Sequence, residues 1–310
     1  MVSDAGRRGP RIIAVINQKG GVGKTTSAVN LGAALADAGL RVLMIDLDPQ
    51  AHMSLHLGVD STSLEHTVYD LFVDESCKAQ QAIVRVDDNL DAIAAETDLA
   101  AAESELASDP RRNEILRSRL ESVFNRYDVI LIDCPPSLGV LTINALSMAT
   151  EVFVPMQAHF LALQGVGKLL ETIGMVCSSV NPGLQVTGII LCMHERQTML
   201  AREVVSDLEN FIESSRDQSV PWSQCRVLRP PIRRNIKLAE APSFGQTIFQ
   251  YEPTCHGAND YRALAADVMA GWLKTKPSDQ STSSTEDSAC VITPTDTTPM
   301  ESDRDRVETA

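Results

Sequence analysis

Short runs of aliphatic and β-branched residues recur along the 310-residue chain, separated by longer stretches in which apolar residues return every three or four positions. The runs read as strands at 12–17 (IIAVIN), 41–46 (RVLMID), 90–94 (LDAIA), 129–133 (VILID), 151–156 (EVFVPM), 186–193 (VTGIILCM) and 226–228 (RVL). Most are apolar throughout instead of alternating, which predicts strands buried on both faces, as in a parallel sheet. Parallel neighbours need crossover connections, and the segments between the runs have helical periodicity. The expectation is an α/β fold: a mostly parallel, roughly seven-stranded sheet with helices on both faces.

Between the first two runs, Val29, Leu31, Ala34 and Leu35 fall at helical spacing, and Gly39 stands where a glycine would end the helix. Further helices are predicted over 112–127, 160–180, 200–215 and 259–276. In the last of these, Tyr261, Leu264, Val268 and Trp272 share one face. From 277 the composition turns to Ser, Thr, Pro and acid, and residues 276–310 hold eight acids against three bases. Such a segment buries too little apolar surface to order itself. The predicted organisation is a flexible segment over 1–11, one domain over 12–274 and a disordered acidic tail over 275–310.

Charge narrows the function classes. With 41 acidic and 27 basic side chains the formal charge is -14, so the surface as a whole does not attract nucleic acid and any such contact must be a local patch. One is available: Arg226, Arg229, Arg233, Arg234 and Lys237 follow one another with no acid between them, and Arg196 and Arg202 lie around the start of an earlier helix. Seven cysteines without a CxxC pair predict reduced thiols and no metal cluster. The apolar run after the polar first eleven residues is too short for a signal-peptide core or a membrane span, so the expected location is the cytoplasm.

The candidate chemistry begins at KGGVGKTT, residues 19–26, which follows a predicted strand and opens a predicted helix. Glycines 20, 21 and 23, with Val22 between them, allow backbone N–H groups to converge on an anion at a helix N-terminus. Lys24 then reaches the β- and γ-phosphates as a point charge and the Thr25 hydroxyl can ligate Mg²⁺, so Lys19, Gly20, Gly21, Val22, Gly23, Lys24, Thr25 and Thr26 form the predicted ATP-binding stretch. The second strand ends in MIDLDPQ, placing Asp46 and Asp48 at a strand's carboxyl end, where ligands collect in open α/β sheets. VILIDCPPS delivers a third acid, Asp133, toward the magnesium-bound water. Cys134 reads as a small core residue. His52 and His56 lack a third ligand and read as ordinary loop residues.

The ordinary phosphate-loop pattern places its first glycine where Gln18 stands, and an extra lysine, Lys19, follows at once. This resembles the deviant Walker A motif of the ParA and MinD family of P-loop ATPases. The likeness continues through LDPQ, IDCPPS, VPMQAHFLALQGV and RRNIKLAEAPSFGQTI, covering about residues 12–274, and LAEAPSFG resembles the chromosomal ParA/Soj branch. The loop after Asp48 departs from the relatives' LDPQGNAT, reading LDPQAHMSLHLG.

The resemblance implies an ATP hydrolase that uses Mg²⁺ and works as a nucleotide-sandwich homodimer. Lys24 would serve its own nucleotide and Lys19 its neighbour's; Asp48 would orient and polarise the attacking water, and Asp46 would belong to the region of the magnesium shell. Asn235 and Pro242 would lie near the adenine. It further implies sequence-independent DNA binding by the ATP dimer, with Arg196 and Arg234 matching DNA-contact arginines and Arg233 adding a charge where relatives carry proline. A ParB-like protein would stimulate hydrolysis, and the location would be cytoplasmic and nucleoid-associated, the role being chromosome or plasmid partitioning. Two alternatives share the core: an ATPase that positions a protein cargo, and a MinD-like division-site ATPase. The second uses a basic amphipathic C-terminal helix on membranes, whereas this chain ends in acid, so no membrane partner is expected.

Overall fold

The computed structural model describes residues 9–159, 162–195 and 199–274; the expectations for residues 1–8 and for the acidic tail fall outside these. Eight strands form one sheet: β1 (Arg11–Val15), β2 (Val42–Asp46), β3 (Ile83–Asp87), β4 (Leu90–Ile93), β5 (Val129–Asp133), β6 (Glu151–Met156), β7 (Gln185–Leu191) and β8 (Arg226–Val227). Their order is β3-β4-β2-β5-β1-β6-β7-β8, and every pairing except β3 with β4 is parallel. The sequence-predicted strands are all present.

The helices are α1 (Lys24–Asp37), α2 (His52–His56), α3 (Val68–Val73), α4 (Ala79–Ala82), α5 (Leu99–Glu105), α6 (Ile115–Leu120), α7 (Val140–Met148), α8 (Ala162–Ser179), α9 (Met199–Ser214), α10 (Ile236–Glu240), α11 (Ile248–Tyr251) and α12 (His256–Lys274). They cover both faces of the sheet. Alternate residues of each central strand feed opposite cores: Ile12 and Ala14 join α3 and α5 to α9, whereas Ile13 and Val15 join α1, α2 and α10 to α12. Both sets are at most 5% exposed, which is why these strands read as continuous apolar runs.

Two expectations are refined. The eighth strand, β3, pairs antiparallel at the edge with half-exposed and exposed positions, and it turns into β4 through Asn89 at φ 59°. Its short polar-interrupted pattern, IVRVD followed by Asp88-Asn89, is a hairpin signal that the search for fully apolar runs passes over. The helix expected over 112–127 is two pieces, α6 and a 3₁₀ turn over Glu121–Arg126, which still bury Ile115, Leu116, Leu120 and Val123. Asn144 of α7 fixes the first piece by accepting from Leu116 N at 3.1 Å and donating to Arg112 O at 2.6 Å.

Helix α1 carries the phosphate loop and is set directly on the sheet. Its end follows the expected pattern, with Gly39 N donating to Ala36 O and Leu40 N to Leu35 O. At Gly32 the helix backbone approaches β2 and β5 so closely that a Cβ would stand 2.8 Å from Met44 Sδ and 3.2 Å from Leu131 Cδ1. Gly32→Val should therefore destabilise the fold by about 1–3 kcal/mol through overpacking, outweighing the gain of under about 1 kcal/mol from removing a helical glycine. Urea unfolding checks this; an unchanged or raised midpoint would show that α1 has room to shift.

Candidate functional site

The loop between β1 and α1 has the form that anion binding needs. Gly21 and Gly23 take φ of 71° and 94°, and Gly23 is the N-cap of α1 with no side chain capping it among the described residues. The first N–H groups of a 14-residue helix are thus open to a ligand. Lys24, at the first position of α1, is 8% exposed, while Val22 packs inward and Lys19, Gly20 and Gly21 stand on the surface. The Lys19 N–H donates to Asn17 Oδ1 at 2.9 Å. Thr25 and Thr26 are half-buried, and the Thr26 carbonyl accepts from Asn30 Nδ2 at 2.8 Å.

The parallel register brings the acids to the same place. Asp133, the last residue of β5, lies level with Val15 of β1 on one side and Asp46 of β2 on the other. Both carboxyls are buried, but their partners differ. Asp46 Oδ1 accepts from Asp48 N at 3.1 Å, and Oδ2 accepts from Ser54 N at 2.9 Å and Ser54 Oγ at 2.8 Å. Burial pushes its pKa up to about 6 against the pull of the Ser54 bonds. Asp133 has no hydrogen-bond partner at either oxygen among the described residues. Burial first, then the charge of Asp46, drive its pKa well above the ordinary carboxylate range, and the Thr25 hydroxyl and Lys24 ammonium draw it back.

That asymmetry assigns chemistry. A buried carboxyl with unfilled lone pairs beside a hydroxyl and an ammonium fits an oxygen-ligated divalent cation bridging to phosphate. Asp133 and Thr25 could hold Mg²⁺ there. Asp46 is occupied in shaping the 46–54 loop, and so sets the position of Asp48, which is half-exposed and accepts from Gln50 N at 3.0 Å. Sequence reasoning passed over Ser54, the anchor of this loop: a serine eight residues beyond Asp46 carries no motif, and only the fold brings the two together.

The late segment is also brought toward this end. Asn235 caps α10, accepting from Lys237 N at 2.9 Å, and Pro242 sits in a 3₁₀ turn over Ala241–Phe244. The turn abuts the loop after α2: Gly245 and Gly58 touch so closely that a Cβ on Gly58 would lie 2.7 Å from Gly245 O.

The basic stretch is corrected. It contains no acid in sequence, but acids from elsewhere neutralise it: Arg226 pairs with Asp267, Arg229 with Glu209, Arg233 with Asp260, Arg234 with Glu195 and Lys237 with Glu240. Arg233 is committed most fully, making four hydrogen bonds to Asp260, a residue only 5% exposed. It ties the segment to α12 while its side chain stays 43% exposed. Arg234 is exposed, with a single 2.8 Å bond from Nε to Glu195. Arg196 lies outside the described residues. No described helix is long and apolar enough to cross a membrane.

Strand, glycine turn and helix, with acids at two neighbouring strand ends, define a P-loop nucleotide-binding protein. The family model described as an AAA domain matches residues 10–186, more than half of the chain. The chain is 41% identical over 263 residues to the chromosome partitioning protein ParA of Caulobacter vibrioides (strain NA1000 / CB15N), covering 84% of this chain and 94% of that protein. To the chromosome-partitioning ATPase Soj of Thermus thermophilus it is 44% identical over 260 residues, covering 84% and 96%. Among solved structures it is similar to cobyrinic acid a,c-diamide synthase from Mycobacterium smegmatis with a bound ATP analogue and magnesium, at TM-score 0.71 and 35% identity over 86% of this chain and 97% of that one. The chain belongs to the ParA/Soj family of chromosome-partitioning ATPases.

No group of three or more metal-ligating side chains is found among the described residues. His52 is exposed, whereas His56 is 1% exposed beside the Gln246 backbone, and burial lowers its pKa to about 4. The unfolded chain therefore takes up this proton at higher pH than the folded one. Stability from neutral His56 is full above the ordinary value of 6.5 and is lost as pH falls toward about 4, by up to about 3 kcal/mol. His56→Met, which keeps the volume, should flatten the fall in urea midpoint between these pH values; the same slope in the variant would assign it to other groups.

Proposed function

We propose that this chain is a Mg-ATP-dependent dimerising switch for chromosome or plasmid partitioning, whose ATP-bound dimer holds DNA without sequence preference and lets go on hydrolysis. The observation that carries the reading is the orphaned carboxyl of Asp133, buried at the rim of the phosphate loop next to Thr25 and Lys24. Bound Mg²⁺ would neutralise charge on the β- and γ-phosphates. Lys24 and the α1 N-terminus hold the chain's own triphosphate; Asn235 and Pro242 serve the adenine side. Asp48, exposed enough to meet solvent and fixed by its backbone bond to Asp46, orients the attacking water. Lys19, on the surface of the loop, reaches the nucleotide of a second copy, so the positive charge needed for turnover arrives only on dimerisation.

Catalysis by positioning and charge leaves a slow basal rate, which a ParB-like partner accelerates by completing the geometry of Lys19 and Asp48. DNA contact falls to Arg196 and Arg234, with Arg233 as their structural support. The working location is the nucleoid in the cytoplasm.

Asp48→Ala should keep ATP-dependent dimerisation while hydrolysis falls by a factor on the order of 100 or more, read by light scattering and phosphate release. Normal hydrolysis in this variant would remove Asp48 from the mechanism. For DNA, Arg234→Ala should reduce the magnitude of the salt slope of binding by about 1, whereas Arg233→Ala should lower thermal stability instead. An unchanged slope in Arg234→Ala would take that residue out of the interface.

A further inference from the structure

Beside Lys19 the turn is not packed at its first two glycines, although Val22 packs inward. No described atom lies within 4 Å of where a Cβ would stand at Gly20 or Gly21, and two adjacent glycines lose more conformational freedom on ordering than any other pair. What fixes the turn is a pair of amide side chains at the ends of neighbouring strands. Asn17, just past β1, accepts from Lys19 N at 2.9 Å and donates Nδ2 to Pro155 O of β6 at 2.8 Å. Gln157, the residue after β6, donates Nε2 to Gly21 O at 3.2 Å.

Gln157 is itself held at both ends of its amide. Nε2 also meets Met193 Sδ at 3.1 Å, and Oε1 lies 2.6 Å from His159 Nε2. Met193 follows β7 with φ 49°, a left-handed conformation that is rare for a residue with a side chain and persists where the surroundings dictate it. The next residue, His194, donates its N–H to Ile232 O at 2.9 Å and bridges to Arg233. The amide is thus held beside the ends of β6 and β7, with its donor on the Gly21 carbonyl of the glycine turn.

We propose that Gln157 is a positioning residue for Lys19: by holding the Gly21 carbonyl it fixes the glycine turn, and so the direction in which the lysine leaves the surface. Gln157 touches neither nucleotide nor the reacting atoms in this role. The inference rests on the reading that Lys19 acts across the subunit interface. It predicts a division of effects, because Lys24 and the α1 N-terminus do not depend on the Gln157 amide and the trans contact does.

The test uses the full chain with a non-hydrolysable ATP analogue and Mg²⁺, comparing wild type, Gln157→Met, Gln157→Asn, Lys19→Ala and the Lys19→Ala/Gln157→Met double variant. Gln157→Met keeps the reach without the donor, and Gln157→Asn keeps the amide but is one methylene short. In both, the protein concentration for half-dimerisation, read by sedimentation, should rise about tenfold, as expected if losing this intramolecular bond weakens the contact made by Lys19 by about the worth of one hydrogen bond, and any loss in ADP affinity should be several-fold smaller. In the Lys19→Ala background, Gln157→Met should add nothing.

Unchanged dimerisation in Gln157→Met, equal losses in dimerisation and ADP affinity, or additive effects in the double variant would each overturn the proposal. If Lys19→Ala loses dimerisation while both Gln157 variants retain it, only this inference fails. If Lys19→Ala dimerises like wild type, the trans-lysine reading fails and takes this one with it.

Discussion

Two carboxyls that a parallel register forces to the same height set the terms for the rest of the structure. Asp46 and Asp133 end adjacent strands, directly level with each other, and both are withdrawn from water. Burial raises both pKa values, and the charge of Asp46 adds to the rise at Asp133. The fold meets the problem unequally: Ser54 and the Asp48 backbone saturate Asp46, and Asp133 is left facing Thr25 and Lys24 with its oxygens unfilled. A phosphate loop with a buried lysine and an acid whose oxygens lack partners among the described residues is an electrostatic arrangement that a cation and a polyphosphate together relieve. Binding is then completion of a strained constellation, which gives the ligand a direct hold on the ends of β1, β2 and β5 and on the first turn of α1.

The same accounting decides which cations can leave their partners. A salt bridge between exposed groups is worth roughly 0–1 kcal/mol, so Arg234 can exchange Glu195 for a phosphate at little cost. The Arg233 pair is different, because Asp260 is nearly inaccessible and would be left charged and unpaired, a loss of about 3–5 kcal/mol for a fully buried pair and less here, where the arginine is partly exposed. An acidic chain with its basic stretch internally neutralised offers little long-range attraction to a polyanion, and any contact there requires a short-range exchange of partners.

The parts of this arrangement that were legible in the sequence are those encoded by neighbours in the chain. KGGVGKTT reports its own turn, and MIDLD and VILID report strand ends, because apolar periodicity and glycine placement are local. The two-faced burial of β1 and the Tyr261 face of α12 follow from the same patterns. What escaped the reading is long-range. Gln157 meets Gly21 across 136 residues, Asp260 meets Arg233 across 27, and an arginine run free of acid in sequence is neutralised in space. The edge strand β3 escaped for a different reason: half-exposed edge positions need not be apolar, so the signal that marks the central strands is weak there.

The loop after Asp48 links the two ends of the proposed nucleotide site. It is tied at its start to Asp46 through Ser54, and at its far end Gly58 lies against Gly245, just past the turn that contains Pro242. His56 of α2 is buried against the Gln246 backbone. Backbone approaching backbone at this distance leaves no slack, since any Cβ at either glycine would collide. The residue proposed to orient water and the turn proposed to meet the adenine therefore belong to one packed unit. Backbone contact between Gly58 and Gly245 gives a displacement at the Pro242 turn a mechanical route through α2 toward Asp48.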